Sequence, residues 1–292
     1  MPQPTLRDWL SIAALGLIWG GTFMVIALAL RGYGPLTVAT ARTTLGALML
    51  CVMAAAMRRP LPRMSRSMVT HLLLIGVCST ALPFFLLSWG QQSVPSAFAG
   101  LSMAAVPLFV LPLAHVFIPG EVITLRKGLG FSLGFAGVLV LLGHDAFSGG
   151  SGGLLPRLAC VAAALCYAVS GISTRRCPPI DPIMLSALSL LIGSVALVPA
   201  MLVFEGLPNR AATTPTIAII FLGLVPTAFA TLLRVRVIRS AGPSFMTLTN
   251  YQVPLWSVAF GALVLDESLS PNFWLALGAI LTGLAISQYR RR

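Results

Sequence analysis

The sequence is poor in charged residues. Only 9% of its 292 residues are Asp, Glu, Lys or Arg, whereas 57% are hydrophobic. A water-soluble domain carries about 25% charged residues, so this chain cannot cover a water-facing surface. Its length is therefore counted in bilayer spans of about 20 apolar residues rather than in soluble domains. We expect an all-α membrane protein.

Acidic residues are the scarcest charged group, with seven Asp and Glu against 19 Lys and Arg. All seven lie at or near the ends of apolar runs, so no carboxylate is expected at mid-membrane. Buried carboxylates are common proton relays in pumps. Their absence argues against such a relay and against a buried acid that binds cationic drugs. His71 and His115 could carry protons instead, but both lie near the ends of their runs, where we expect structural roles.

The patterns of metal, disulfide and catalytic sites are also missing. The five cysteines show no CxxC or Cys/His ligand spacing, so we expect no metal site, disulfide framework or cofactor. The chain has no GxSxG, HExxH or Walker motif, and its three histidines are dispersed. We therefore expect no catalytic residues and no enzyme activity. The arginines form short clusters between apolar runs, which is not the pattern of a nucleic-acid-binding surface.

What the chain does contain is a series of ten apolar runs joined by short connections. The first could be a cleavable signal peptide, but it is long for one, and its loss would break the repeat described below. The predicted spans cover residues 9–30, 35–57, 68–89, 93–118, 124–143, 154–174, 181–204, 213–235, 241–265 and 271–289.

Basic residues alternate between the two sides of these spans. Fifteen of the 19 fall on the side that holds both chain ends, three fall on the other side, and Arg42 lies inside the second span. Basic residues are enriched in cytoplasmic loops. The distribution therefore predicts a multi-pass protein of the bacterial inner membrane with both termini in the cytoplasm.

The chain also repeats itself. A shift of 147 residues places Gly46 on Gly193, Gly76 on Gly223, and Thr80 on Thr227. A Gly/Ser-rich linker near residues 148–153 separates five spans from five. Because five is odd, the second copy must enter the membrane from the opposite side. We predict two inverted five-helix repeats, residues 1–147 and 148–292, with a solute site between them near mid-membrane.

Arg42 is the one ionisable group well inside a predicted span, about 9 Å below the periplasmic end by helix rise. It could attract the carboxylate of a solute. Equally, it could be structural, either snorkelling to the interface or binding carbonyls of a neighbouring helix. The sequence leaves both interpretations open.

Two further sets of residues are candidates for a cavity wall. Asn250 and Tyr251 precede Pro254 in the ninth span, and Met103 precedes Pro107 in the fourth. Polar amides in lipid must pair or face water, and a membrane-embedded proline frees carbonyls that need partners. The bent spans could line a hydrated cavity, although hydrogen bonds between helices would explain the same residues.

Several short segments of the chain resemble signatures of the EamA-type drug/metabolite transporter superfamily. The likeness lies in Leu17–Phe23, in Pro35 with Ala41-Arg42, and in Pro254–Leu269, and it appears in both halves. It implies ten helices, two inverted repeats and metabolite export. The chain also looks similar to bacterial YddG-type amino-acid exporters. The resemblance implies a cavity role for eight residues: Trp19, Thr22, Arg42, Phe84, Met103, Tyr167, Asn250 and Tyr251.

From these observations we expect an exporter of small metabolites, with neutral or aromatic amino acids as the first candidates. Alternating access would move the solute without a buried acidic proton relay. Its partners would be a small-molecule solute and the lipid bilayer, with no nucleic acid, and the protein would be a monomer. The main alternative is another solute class, namely a nucleoside, a sugar phosphate or a drug. A channel is a weaker alternative, because charge rings and a filter-like loop are missing.

Overall fold

The structure is a computed structural model that describes residues 4–143, 153–208 and 212–288. Within these ranges every regular element is helical. Eight helices are long and apolar enough to cross a membrane. They are α1 (Leu6–Leu30), α2 (Pro35–Ala56), α3 (Arg66–Gly90), α4 (Ser96–Phe117), α5 (Leu125–Leu142), α6 (Leu154–Arg176), α7 (Pro182–Phe204) and α8 (Thr213–Ala241). Two further helices follow, α9 (Thr249–Val264) and α10 (Pro271–Gln288).

The ninth predicted span differs most from the structure. Gly242 adopts a positive φ of 89° and ends α8, and a single helical turn, Pro243–Met246, comes before α9. The remaining 16 residues of α9 span about 24 Å, less than the hydrocarbon core of about 30 Å. Eight helices of the described chain are thus long and apolar enough to cross a membrane, and the ten-span count stays a prediction.

Local sequence explains where several helices begin. Thr5 and Asp8 form a reciprocal capping box at the start of α1. Ser65 and Thr124 cap α3 and α5 through their hydroxyl groups. The carboxylate of Asp181 accepts two backbone N–H groups at the start of α7. These caps satisfy the N–H groups that a helix leaves unpaired.

The main helix contacts follow a two-fold pattern. Helix α2 packs along α7, α5 packs along α10, and α4 packs along α9. Helix α1 contacts α8 and α9, while α6 contacts α3 and α4. Helix α2 also crosses α8, while α7 crosses α3. If α1 to α5 are exchanged in order with α6 to α10, the same set of helix contacts is obtained.

Several predictions fall outside the described residues. The Gly/Ser-rich linker, except for Gly153, and the boundary between residues 147 and 148 belong to the undescribed range 144–152. Arg210, one of the three basic residues on the predicted periplasmic side, and residues 290–292, counted on the predicted cytoplasmic side, also lie outside.

Candidate functional site

Helices α3 and α8 each carry a π-helical stretch in their middle, Val77–Ala81 in α3 and Gly223–Phe229 in α8. The 147-residue shift places the stretch in α3 inside the stretch in α8. Such bulges widen the helix by one residue and occur often at functional sites. In α8, Pro226 has no N–H to donate, and the Thr227 hydroxyl binds the Leu222 carbonyl at 2.8 Å. In α3, the Thr80 hydroxyl binds the Gly76 carbonyl.

Glycines bring a second helix against each bulge. A Cβ atom at Gly46 of α2 would lie 2.6 Å from Thr227 Cγ2, and a Cβ atom at Gly193 of α7 would collide with Thr80 Oγ1. Under the 147-residue shift, Gly46 aligns with Gly193 and Thr80 aligns with Thr227. The crossing of α2 over α8 therefore repeats in the crossing of α7 over α3, and both depend on the missing side chain.

Arg42 lies at the first of these crossings. It is only 6% exposed. Its Nε donates to Thr227 Oγ1 at 3.0 Å, and its guanidinium carbon sits 3.8 Å from the centre of the Phe84 ring. Across the described chain no carboxylate forms an ion pair with it. A buried guanidinium therefore rests on one hydroxyl and one aromatic face, a contact that stabilises a cation by about 2 kcal/mol when desolvated.

The second crossing has Ser189 at the position equivalent to Arg42. Ser189 is 4% exposed, and its carbonyl accepts from the Thr80 hydroxyl at 3.4 Å. Its own hydroxyl has no hydrogen-bond partner within the part of the chain that the structure describes. The two crossings thus share their backbone geometry but differ in charge.

Three other predicted residues lie around Arg42. Trp19 Nε1 donates to the carbonyl of Pro226, the neighbour of Thr227, at 3.2 Å. Tyr167 packs against the apolar cluster that contains Phe84. It also packs against a second cluster, against which Met103 packs as well. The structure therefore brings Trp19, Arg42, Phe84 and Tyr167 together, and Met103 packs against one of the two clusters that Tyr167 contacts.

The remaining three predicted residues have other surroundings. The Thr22 hydroxyl binds the Ile18 carbonyl of its own helix at 2.9 Å. The Tyr251 hydroxyl donates to the Leu284 carbonyl of α10 at 3.3 Å. Asn250 is exposed on α9. None of these contacts joins them to the Arg42 cluster.

Sequence reasoning missed Thr227 as a site residue. The shift of the repeat singles out Thr80 and Thr227, but only as markers of similarity. The signal that could have identified Thr227 was its place directly after Pro226, where a hydroxyl can bind the carbonyl that proline leaves unpaired.

Two of the acids, Glu205 and Glu267, bind the N-terminal ends of helices. Glu205 accepts the backbone N–H groups of Leu36 and Thr37 at 2.8 Å, at the start of α2. Glu267 accepts those of Ser96 and Ala97 at the start of α4. Among the described residues no group of three His, Cys, Asp or Glu could hold a metal. The site offers the Arg42 cation, the Thr227 hydroxyl and the aromatic face of Phe84.

Comparison with protein families gives two matches within the chain. The model of the EamA-like transporter family matches residues 8–143 and again residues 155–289. A solved crystal structure has the same fold, with a TM-score of 0.66 at 19% identity, and the match covers 97% of this chain and 96% of the other.

Curated relatives match over almost the whole length. The uncharacterized transporter YoaV of Bacillus subtilis is 26% identical, and the match covers 94% of each chain. The uncharacterized inner membrane transporter YedA of Escherichia coli K12 is 26% identical, with 94% of this chain and 89% of the relative covered. A Streptantibioticus cattleyicolor protein named "Probable terminal-alkyne amino-acid exporter" is 26% identical, with 90% and 86% covered.

Proposed function

Because this chain belongs to the EamA-like transporter family, we propose that it exports small metabolites across the bacterial inner membrane by alternating access. Neutral or aromatic amino acids are the proposed solutes. The family is one of transporters rather than enzymes, and a relative from Escherichia coli is an inner membrane transporter.

The mechanism follows from the repeated architecture. Two family matches of similar length and the two-fold pattern of helix contacts support two five-helix repeats that enter the membrane from opposite sides. With α9 and α10 also crossing, the chain has ten spans and both termini face the cytoplasm. Inverted repeats place a solute between them and expose it to either side by rocking. The chain would act as a monomer.

The observation that carries the solute class is the buried guanidinium of Arg42, which forms no ion pair with any described residue. A buried charge without a counter-ion is costly, and an anionic solute would supply that counter-ion. The carboxylate of an amino acid can accept two parallel hydrogen bonds from an arginine. Phe84, Tyr167 and Trp19 would then face an apolar or aromatic side chain. One relative is named a probable terminal-alkyne amino-acid exporter, and its named solute is of the same chemical class.

The closed packing around Arg42 fits an occluded state. With 6% of its surface exposed, Arg42 meets a solute only when the helices around it separate. The two bulges are the natural places for such a movement, because their backbone hydrogen bonds are already rearranged. No acid of the described residues lies beside Arg42, so the proposed cycle uses no carboxylate proton relay.

Counterflow into liposomes that contain the purified protein tests this proposal. Phenylalanine and leucine should show saturable uptake that rises with the same amino acid inside, whereas phenethylamine, which lacks the carboxylate, should not be carried. Arg42→Ala should lower kcat/KM by about 10- to 100-fold, the value of one to two hydrogen bonds to a charged group. Arg42→Lys should fall between, because lysine keeps the charge but not the fork of donors.

Normal transport by a folded Arg42→Ala variant, or equal transport of phenethylamine, would contradict the solute assignment. A sugar phosphate, also anionic, is the alternative that Arg42 itself favours. It belongs in the same solute panel beside a nucleoside and a cationic drug. Flux that never saturates and shows no stimulation from the opposite side would indicate a channel instead.

A further inference from the structure

A cavity lies away from Arg42, where the ends of α2, α7 and α8 meet on the face predicted to be cytoplasmic. Its volume is about 540 Å³. Helix α8 supplies most of the wall, α2 and the residues after it supply another part, and α7 contributes its first turn. Its lining includes Met53, Arg59, Ile183, Leu232, Arg236 and Arg239.

All charged residues in this lining are arginines, and their charge is only partly balanced. One oxygen of Asp181 lies 3.4 Å from Arg59 Nη1 and 3.5 Å from Arg239 Nη2, so one carboxylate serves two guanidinium groups. The other oxygen of Asp181 accepts the N–H groups at the start of α7. Arg236 interacts at longer range with Asp8 and forms no direct ion pair among the residues described.

Arg59 has unused hydrogen-bonding capacity. Its Nε is buried and lacks a hydrogen-bond partner within the described ranges. A buried donor without an acceptor costs about 1–3 kcal/mol. An anionic oxygen in the cavity could accept from this donor and at the same time balance the excess charge of Arg236 and Arg239.

The rest of the wall is apolar. Met53 and Leu232 lie on the membrane side of the arginines along α2 and α8, and Ile183 lies in the first turn of α7. The cavity therefore has a basic end and an apolar end, at the depth where a phospholipid has its phosphate and the start of its acyl chains. Basic pockets between helices on the cytoplasmic side are suited to anionic headgroups.

We propose that this cavity binds an anionic phospholipid of the cytoplasmic leaflet. The phosphate would lie among Arg59, Arg236 and Arg239, and an acyl chain would run along Met53 and Leu232. Because the site joins the end of α8 to α2 and α7, a bound lipid would hold these helices together at one end of the crossing that contains Arg42.

Native mass spectrometry of the delipidated full chain in detergent tests the proposal with dioleoyl phosphatidylglycerol and dioleoyl phosphatidylcholine as probes. Phosphatidylglycerol should bind at least about tenfold more tightly than phosphatidylcholine. The double variant Arg236→Gln/Arg239→Gln should weaken phosphatidylglycerol binding by about 30-fold, from the roughly fivefold that each arginine contributes near a membrane surface.

The matched control removes the same charge from the same predicted face. Arg63 and Arg66 are exposed and do not line the cavity, so Arg63→Gln/Arg66→Gln should bind phosphatidylglycerol like the unmodified chain. Should the first double variant not fold, Met53→Phe fills the cavity without changing charge and should lose the lipid too.

Three results would overturn the proposal. Equal weakening in both double variants would show attraction to surface charge in general. Absence of a preference for phosphatidylglycerol would remove the role of the anionic headgroup. Displacement of the lipid by about 10 mM inorganic phosphate, measured in the same spectra, would identify a site for a free anion instead.

Discussion

The crossing of α2 over α8 and the crossing of α7 over α3 share their backbone geometry but differ in the side chain beside the threonine. Each joins a glycine, Gly46 or Gly193, to a threonine in a π-helical stretch. The first crossing adds Arg42, whose Nε binds Thr227. The second has Ser189, whose hydroxyl is buried and without a hydrogen-bond partner in the described structure. The scaffold is duplicated, whereas the charge is present once.

This difference has a physical reason. Each half of the chain needs a small residue at its helix crossing, because both halves have the same close helix contact. A second buried arginine would add an uncompensated charge and repel the first, at a cost of several kcal/mol. A binding site between two related halves therefore becomes asymmetric when it must hold a single anionic group.

The comparison is tested most strongly at the two threonines. Thr227→Val and Thr80→Val each remove a hydroxyl that binds a helix carbonyl, but only Thr227 also accepts from Arg42. We expect Thr227→Val to raise the KM of counterflow about tenfold, the value of a hydrogen bond to a charged group. Thr80→Val should change it by less than about threefold. Equal effects would show that the Arg42 contact does not distinguish the crossings.

The shared geometry predicts equal losses of stability at the two glycines. Gly46→Ala and Gly193→Ala each place a methyl group against a threonine, and we expect each to lower the free energy of unfolding by about 1–3 kcal/mol. In the control Gly171→Ala the new methyl group meets open space, so stability should stay level or rise by up to about 1 kcal/mol. Thermal unfolding in detergent measures all three, and a loss at only one crossing would break the equivalence.

The starts of the two crossing helices offer a smaller contrast. Glu205 caps α2 from the end of α7, whereas Asp181 caps its own helix and pairs with Arg59 and Arg239. Alanine at either acid should cost about 1–2 kcal/mol through loss of the cap. Adding 0.5 M NaCl should reduce the cost at Asp181 more, because its arginine pairs are partly exposed and screened. The same salt response at both acids would contradict this.

The smallest effect concerns Glu121, in the loop after α4. Glu267, in the loop after α9, caps α4, whereas Glu121 pairs with Arg175 and Lys127. The hydrogen bond from Arg175, followed by the nearby charges, lowers the pKa of Glu121 below its usual 4.5.

A lowered pKa means that Glu121 stabilises the folded state above pH 4.5, and this contribution is lost as the pH falls through the lower, folded-state pKa. The contribution should be below about 1 kcal/mol, since the pairs are partly exposed. The gap in melting temperature between the unmodified chain and Glu121→Gln should therefore shrink below pH 4.5. A gap that is constant between pH 3 and pH 7 would contradict the assignment.

Much of the fold could be predicted from the sequence. Eight of the predicted spans coincide with helices of membrane-crossing length, because long apolar runs have few alternatives in lipid. The ninth predicted span, residues 241–265, is divided in the structure into the turn Pro243–Met246 and α9, a break that an apolar pattern does not register. Arg42 stood out by its charge alone. Asn250 and Tyr251 were chosen for polarity, but the direction of a side chain depends on the neighbouring helix, and Tyr251 bonds α10.

Composition and periodicity by themselves determined that this chain is a helical membrane protein. They also determined that Arg42 is the one basic residue well inside a predicted span. Those properties depend on how many apolar residues follow one another, which is local information. Only the tertiary structure decided that Arg42 meets Thr227 and Phe84, and that the Ser189 hydroxyl is buried without a hydrogen-bond partner among the described residues. These contacts join residues far apart in the chain, and packing at the glycine crossings selects them.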